Sequence, residues 1–149
     1  MQNFLSPAVG LAAAFALLRG LAAHGTGKLG NFFVDVVRAV LYVLLPLALA
    51  LSLVGLWQGT PQTFEGYETV QLLEPVAIDA QGNVVAADDP AAVREVTEAV
   101  VPLGPQASQV AIKQLGTNGG GFNGANSASA LENPTPLTNF LQCAAMPLI

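Results

Sequence analysis

Charge is scarce in this chain of 149 residues: Asp, Glu, Lys and Arg together make 10% of it, against about 25% in an ordinary soluble domain. Apolar residues make 52%, and the mean hydropathy is +0.53. That inventory supplies a water-facing surface poorly, and it excludes a collagen, a coiled coil and a disordered polar tail. Basic residues are the scarcer sign, five against ten acidic, which excludes the basic stripe a nucleic-acid partner needs. The single cysteine, Cys143, excludes an internal disulfide and argues against a cysteine-built metal site. Gly-Lys-Ser and Gly-Lys-Thr do not occur, so a phosphate-binding P-loop is excluded as well.

What charge there is sorts by region. Arg19, Lys28 and Arg38, with His24, fall between two apolar runs. Eight of the ten acids (Glu65, Glu68, Glu74, Asp79, Asp88, Asp89, Glu95, Glu98) fall in a later stretch holding only Arg94 as a base. The first run is uncharged from Met1 to Leu18, about 27 Å as a helix against roughly 30 Å of hydrocarbon. The second, Ala39 to Trp57, carries Tyr42 and Trp57 near its ends, residue types that settle at the headgroup level. Pro46 inside it is tolerable where neighbours satisfy the freed carbonyl. The third, Leu137 to Ile149, reaches only about 20 Å and reads as a truncated span, so the chain reads as a piece of a larger membrane protein.

Basic residues stay on the cytoplasmic side. The segment from Arg19 to Arg38 is therefore expected inside, with the amino terminus and the acidic stretch outside. A secretory signal peptide would carry its basic residues ahead of the apolar run; here they follow it. Asp35 and Arg38 read as a solvated helix end, and His24 as an interfacial loop residue with no second ligand beside it.

The outer segment carries turn signals. Val76-Ala77-Ile78-Asp79, Gln81-Gly82-Asn83 and Val84-Val85 predict a small hairpin. Asp89-Pro90 can cap a helix through Val93, Val96 and Val100, but the β-branched content of 93–101 favours a strand. The acids there read as a solvated face, with attraction of cations toward a pore mouth as the alternative.

The segment 104–136 carries the chemistry. Gly104-Pro105-Gln106 followed by 107–115 predicts a helix of about 15 Å, half a bilayer, with Pro105 in its first turn and Gly116 as terminator. Thr117-Asn118-Gly119-Gly120-Gly121-Phe122 follows. Irregular backbone at membrane depth must line a cavity or be buried in protein. A half-helix entering from outside aims its partially negative carboxyl end inward, where cations are stabilised. Consecutive glycines adopt φ of either sign, so successive carbonyls can be turned to one axis to replace the water shell of a potassium ion. Thr117 can add a hydroxyl, and Asn118 can brace the loop. Gly119, Gly121 and Gly124 also satisfy G-x-G-x-x-G, yet the dinucleotide form needs a preceding strand and an acid about twenty residues on. No acid occurs in 133–149. A flexible glycine turn remains the plain alternative on spacing alone.

At these residues the chain resembles the KdpA family, the potassium-binding and potassium-conducting subunits of bacterial Kdp potassium-transporting ATPases. The likeness rests on Gln2-Asn3-Phe4-Leu5-Ser6, on 29–35, on Gly104-Pro105-Gln106-Ala107-Ser108-Gln109 with Leu115-Gly116-Thr117-Asn118-Gly119-Gly120-Gly121-Phe122, and on Glu132-Asn133-Pro134-Thr135-Pro136 through Phe140. It is weak over 65–101. Asn123-Gly124 stands where the family commonly continues with another aromatic, and Ser129-Ala130-Leu131 where it often has His-Pro-Phe. The resemblance implies an all-α membrane protein of potassium-channel-like membrane–pore–membrane repeats, with a re-entrant pore helix, a filter loop and a small β-containing extracytoplasmic loop.

The expected organisation is a transmembrane helix (1–23), a cytoplasmic loop (24–31), a second transmembrane helix (32–57), an extracytoplasmic segment (58–103), a pore helix with filter loop (104–136) and a truncated transmembrane helix (137–149). It further implies K+ coordination by Thr117, Asn118, Gly119, Gly120 and Gly121. The implied setting is the bacterial inner membrane, in contact with lipid, beside KdpB-like, KdpC-like and KdpF-like subunits. ATP chemistry would reside in the KdpB-like partner. A ring of four filter strands does not close from one, so the chain alone is expected not to conduct. The rival readings are a small membrane-anchored binding or assembly protein working through its outer hairpin, and a soluble enzyme with a glycine loop, which the apolar runs disfavour.

Overall fold

The computed structural model describes residues 2–23, 25, 29–86, 90 and 92–149. His24, Lys28, Asp88 and Asp89, and so the readings made of them, lie outside the described residues. The chain divides into two compact units, Phe64–Gly104 forming one and the remainder the other.

In the helical unit, α1 (Gln2–Ala22) covers the first apolar run. The second run lies in a continuous 26-residue helical stretch, Phe32–Trp57, made of α2 (Phe32–Arg38), a π-helical turn (Ala39–Leu44) and α3 (Leu45–Trp57). Both are long and apolar enough to cross a membrane, and little of either is buried inside the protein. The wider π turn ends just before Pro46, where a proline ring would otherwise press on the carbonyl four residues back. Asn31 starts α2 as its N-cap, its side-chain oxygen accepting from the N–H groups of Phe33 (3.0 Å) and Val34 (3.3 Å).

Asp35 corrects the sequence reading. It is not a solvated helix end but is buried, with 5% of its surface exposed, in a two-pronged ion pair with Arg19 of α1. Arg19 also donates to the Leu29 carbonyl at 3.3 Å. Gly30, at φ +90°, leaves the guanidinium the space a Cβ would take. Arg38 is exposed, as expected of it.

α4 (Gln106–Gly116) is short but enclosed: Gln106, Ala107, Val110, Ala111, Lys113, Gln114, Leu115 and Gly116 are all buried. Ala111 and Leu115 pack with Ala48 of α3 and Ala145 of α5 (Pro136–Ala145). Small residues at these contacts let helices approach without any help from water exclusion between them. Pro105 gives α4 no side-chain cap; the free N–H groups are met instead by the Pro61 carbonyl, from Ala107 at 2.9 Å, and by Gln62 Oε1, from Ser108 at 3.0 Å. Thr135 and Thr138 form a reciprocal capping box at the start of α5, and Thr135 Oγ1 donates to Gln58 Oε1 at 2.8 Å. A 3-10 turn, Met146–Leu148, follows α5.

The sheet unit holds three antiparallel strands in the order β2-β1-β3: β1 (Tyr67–Ile78), β2 (Val84–Val85) and β3 (Arg94–Pro102). The predicted hairpin is present, with Ala77 opposite Val85 and Ile78 opposite Val84. Of the two readings of 93–101 the strand is the one observed, because β3 finds a long partner in β1 from Tyr67↔Pro102 to Ile78↔Arg94. The register slips between Gln71 and Val76, where Pro75 has no N–H to give the ladder. Glu65, Glu68, Glu74, Glu95 and Glu98 are all exposed, a solvated face as read.

Asp79 shapes the hairpin turn. Its Oδ1 accepts from the N–H groups of Gln81 (2.9 Å) and Asn83 (2.8 Å), and its Oδ2 from Asn83 Nδ2 (3.0 Å). The Asn83 side chain foremost, then the Asn83 N–H, hold the Asp79 carboxyl below the usual carboxylate range; burial opposes them, and the Gln81 N–H adds a lesser pull downward. A carboxyl depressed in the folded state stabilises the fold above its unfolded pKa, and that contribution is lost as pH falls through the folded value. Carboxyl NMR titration of the intact protein is expected to give Asp79 a midpoint below about 3.9 and to show the turn loosening beneath it. A midpoint at or above that figure would mean these hydrogen bonds do not act.

Candidate functional site

The carboxyl end of α4 opens directly into the residues read as ion ligands. Thr117 takes the left-handed conformation, φ 54° and ψ 15°, which a β-branched side chain seldom adopts. Gly119, Gly120 and Gly121 follow at φ 72°, 111° and 114°, a run of backbone that side chains would disfavour. Thr117, Asn118, Gly120 and Gly121 are exposed and Gly119 is half-buried. Thr117 and Gly119 border a cavity of about 280 Å³ whose other walls include Asn139, Gln142, Cys143 and Met146. The five residues therefore stay together, in a turn at the partially negative end of a buried helix.

Two details differ from the sequence reading. Gly116 does not terminate α4; it is the last helical residue, and Thr117 takes the left-handed position. What requires glycine at 116 is close approach, because a Cβ there would meet the Asn3 carbonyl of α1. Nor does Asn118 brace the loop, for no hydrogen bond of its side chain is found among the described residues. Asn3 Nδ2 instead donates to the Gly119 carbonyl at 3.5 Å, a long and weak contact.

The bracing comes from residues that sequence reasoning did not single out. Lys113 and Glu132 form a buried ion pair, Nζ to Oε2 at 2.5 Å, with 1% and 0% of their side chains exposed. Lys113 Nζ also donates to the Gly124 carbonyl at 3.2 Å. The Asn123 N–H donates to Glu132 Oε1 at 3.4 Å, and its Nδ2 to Gln106 Oε1 at 3.0 Å. Gln114 Nε2 reaches Ser127 Oγ at 3.0 Å and Gln142 Oε1 at 3.3 Å. A Cβ on Gly121 would come within 2.7 Å of Gln109 Nε2 and 3.1 Å of Glu132 Oε1, whereas one on Gly120 would meet nothing within 4 Å. The G-x-G-x-x-G spacing is preceded by a helix rather than a strand, which removes the dinucleotide context.

Two apolar helices long enough to span a bilayer, with a short buried helix ending in a polar glycine turn, are consistent with a membrane protein. All of residues 1–149 match KdpA, the potassium-transporting ATPase A subunit, and the chain belongs to that family. Over all 149 of its residues it is 54% identical to the potassium-transporting ATPase potassium-binding subunit of Desulfovibrio desulfuricans, covering 24% of that protein. It is 52% identical to the subunit of the same description in Solidesulfovibrio magneticus, covering 25% of it, and 50% identical to one in Clostridium botulinum strain Alaska E43, covering 24%. The chain thus spans about a quarter of the length of the curated relatives it matches.

Proposed function

We propose that this chain is the potassium-selecting part of a membrane subunit in an ATP-driven potassium import complex. In this reading 104–136 is a re-entrant pore helix with its filter loop, and Thr117, Asn118, Gly119, Gly120 and Gly121 coordinate dehydrated K+ through backbone carbonyls. α1 and the Phe32–Trp57 helix cross the bacterial inner membrane, and α5 belongs to a further span. The Arg19–Asp35 end lies on the cytoplasmic side and 58–103 outside. A KdpB-like subunit hydrolyses ATP, with KdpC-like and KdpF-like subunits beside it, and three other filter strands of the complete subunit close the ring.

The observation that carries this reading is the set of positive φ angles at Thr117, Gly119, Gly120 and Gly121, at the carboxyl end of a buried half-length helix. It occurs in a chain about 50% identical to subunits described as potassium-binding. Backbone carbonyls suit a dehydrated monovalent cation because they supply several neutral oxygens at once. The helix end adds a partial negative charge without a titrating group.

Gly120 gives the cleanest test, since alanine there meets no neighbour and acts through the backbone alone. A strained residue costs about 1–3 kcal/mol, and about 1.4 kcal/mol is tenfold in affinity. In the complete subunit assembled with its ATPase, Gly120→Ala is expected to raise the K+ concentration for half-maximal ATP hydrolysis about tenfold or more. Unchanged half-saturation in an assembled complex would sink the reading in favour of an anchored assembly protein.

A further inference from the structure

The Lys113–Glu132 pair has no part in ion coordination as read above, yet it lies directly behind the loop. Its bonds reach three places: Lys113 Nζ holds the Gly124 carbonyl, Glu132 Oε1 holds the Asn123 N–H, and the Glu132 carbonyl accepts from Gln142 Nε2 of α5 at 2.8 Å. Asn123 is held a second time, by Gln106 near the start of α4. The carboxylate and the Gln109 amide also lie where a Cβ of Gly121 would go. Both ends of α4 are therefore tied to the two residues that follow Gly121-Phe122, and Glu132 links them on to Gln142 in the last turn of α5.

Stability alone is a poor reason for such a pair. Removing two charges from water costs several kcal/mol each, and apolar residues of like volume often serve as well or better. What an apolar pair does not do is hold a named backbone atom: leucine and methionine fill space but fix neither the Gly124 carbonyl nor the Asn123 N–H. Charge gives a second reason. An unpaired ammonium in the last turn of α4 would stand beside the turn that is read as attracting cations, and at low effective dielectric its repulsion would be large. The adjacent carboxylate cancels it.

We propose that Lys113 and Glu132 are positioning residues that set how the 117–121 loop discriminates among monovalent cations, by clamping its outgoing backbone at Asn123-Gly124 and cancelling each other's charge beside it. The proposal rests on the ion-binding reading of that loop.

The test uses the complete subunit in its assembled transporter, with ATP hydrolysis stimulated by K+ or by Rb+. Lys113→Met/Glu132→Leu removes both charges at similar volume. It is expected to change the ratio of Rb+ to K+ half-saturation at least fivefold, with a smaller change in maximal rate. Lys113→Arg, which keeps the charge pair but not the shape of the ammonium, is expected to shift the ratio less than the double variant does. An assembled double variant with the parent ratio overturns the proposal. Should the double variant not assemble, Glu132→Gln keeps the volume and an oxygen for the Asn123 N–H but leaves the Lys113 charge uncancelled, and it is expected to shift the same ratio at least twofold; no shift there overturns the proposal equally. Gly120→Ala separates the two ideas. If it impairs K+ response while the clamp variants do not, only the clamp fails; if Gly120→Ala is itself silent, the ion-binding reading fails first.

Discussion

Glu132→Leu on its own is expected to destabilise the protein by about 3–5 kcal/mol, the usual result of orphaning one member of a buried ion pair. The substitution leaves the Lys113 ammonium with 1% of its side chain exposed and the Gly124 carbonyl as its remaining hydrogen-bond partner. A loss of that size is a large fraction of the roughly 5–15 kcal/mol that holds a domain folded. The double substitution Lys113→Met/Glu132→Leu is expected to recover most of it, because no charge is then left buried. The contrast is measurable as the fraction of detergent-solubilised complete subunit that survives a heat challenge. Equal survival of the single and double variants would show that the pair is not desolvated in the assembled protein. Asp35→Leu supplies the internal comparison. Its partner Arg19 has 41% of its side chain exposed, so the freed guanidinium can reach water or headgroups, and the expected loss is much smaller.

That difference between two ion pairs explains what was legible in the sequence. Apolar runs are local, so the helices over Gln2–Ala22 and Phe32–Trp57 could be read from composition and the length of a bilayer. The β1–β2 hairpin was legible because Asp79, Gly82 and Asn83 carry the turn chemistry themselves. The longer half of β1 was not, since Tyr67 to Gln71 alternate on no buried face and pair with residues about thirty positions away in β3. The glycines at 119–121 announced unusual backbone, but nothing announced the same at Thr117, whose β-branched side chain argues the other way. Neither ion pair followed from spacing. Arg19–Asp35 and Lys113–Glu132 are separated by 16 and 19 residues, and each forms only because separate segments pack side by side. A buried acid in a loop is indistinguishable from a solvated one until its neighbours are placed. Glu132 stood in a recognisable motif with no role attached, and its role depends on Lys113.

Gly116→Ala carries the second large effect, and two opposing terms decide its sign. Alanine favours a helix over glycine by about 1 kcal/mol, and Gly116 is helical, so an isolated helix would gain. Here the new methyl group would be driven into the Asn3 carbonyl, which is backbone and not the far end of a movable side chain. Overpacking of this kind costs about 1–3 kcal/mol and forces the contacting elements apart. Pro7 has no N–H to give the carbonyl four residues before it, so the Asn3 oxygen lacks its regular helical donor and can lie close over the Gly116 Cα. Relief must come from α1 withdrawing from α4, and α1 carries Asn3 Nδ2 away from the Gly119 carbonyl as it goes. The expected result is reduced heat survival of the complete subunit together with a weaker K+ response. Asn3→Ala, which removes only the 3.5 Å bond, should show much less of either. If Gly116→Ala instead raised stability, helix propensity would have outweighed the contact, and the approach of α1 to α4 would be looser than the separation that makes glycine necessary at that position.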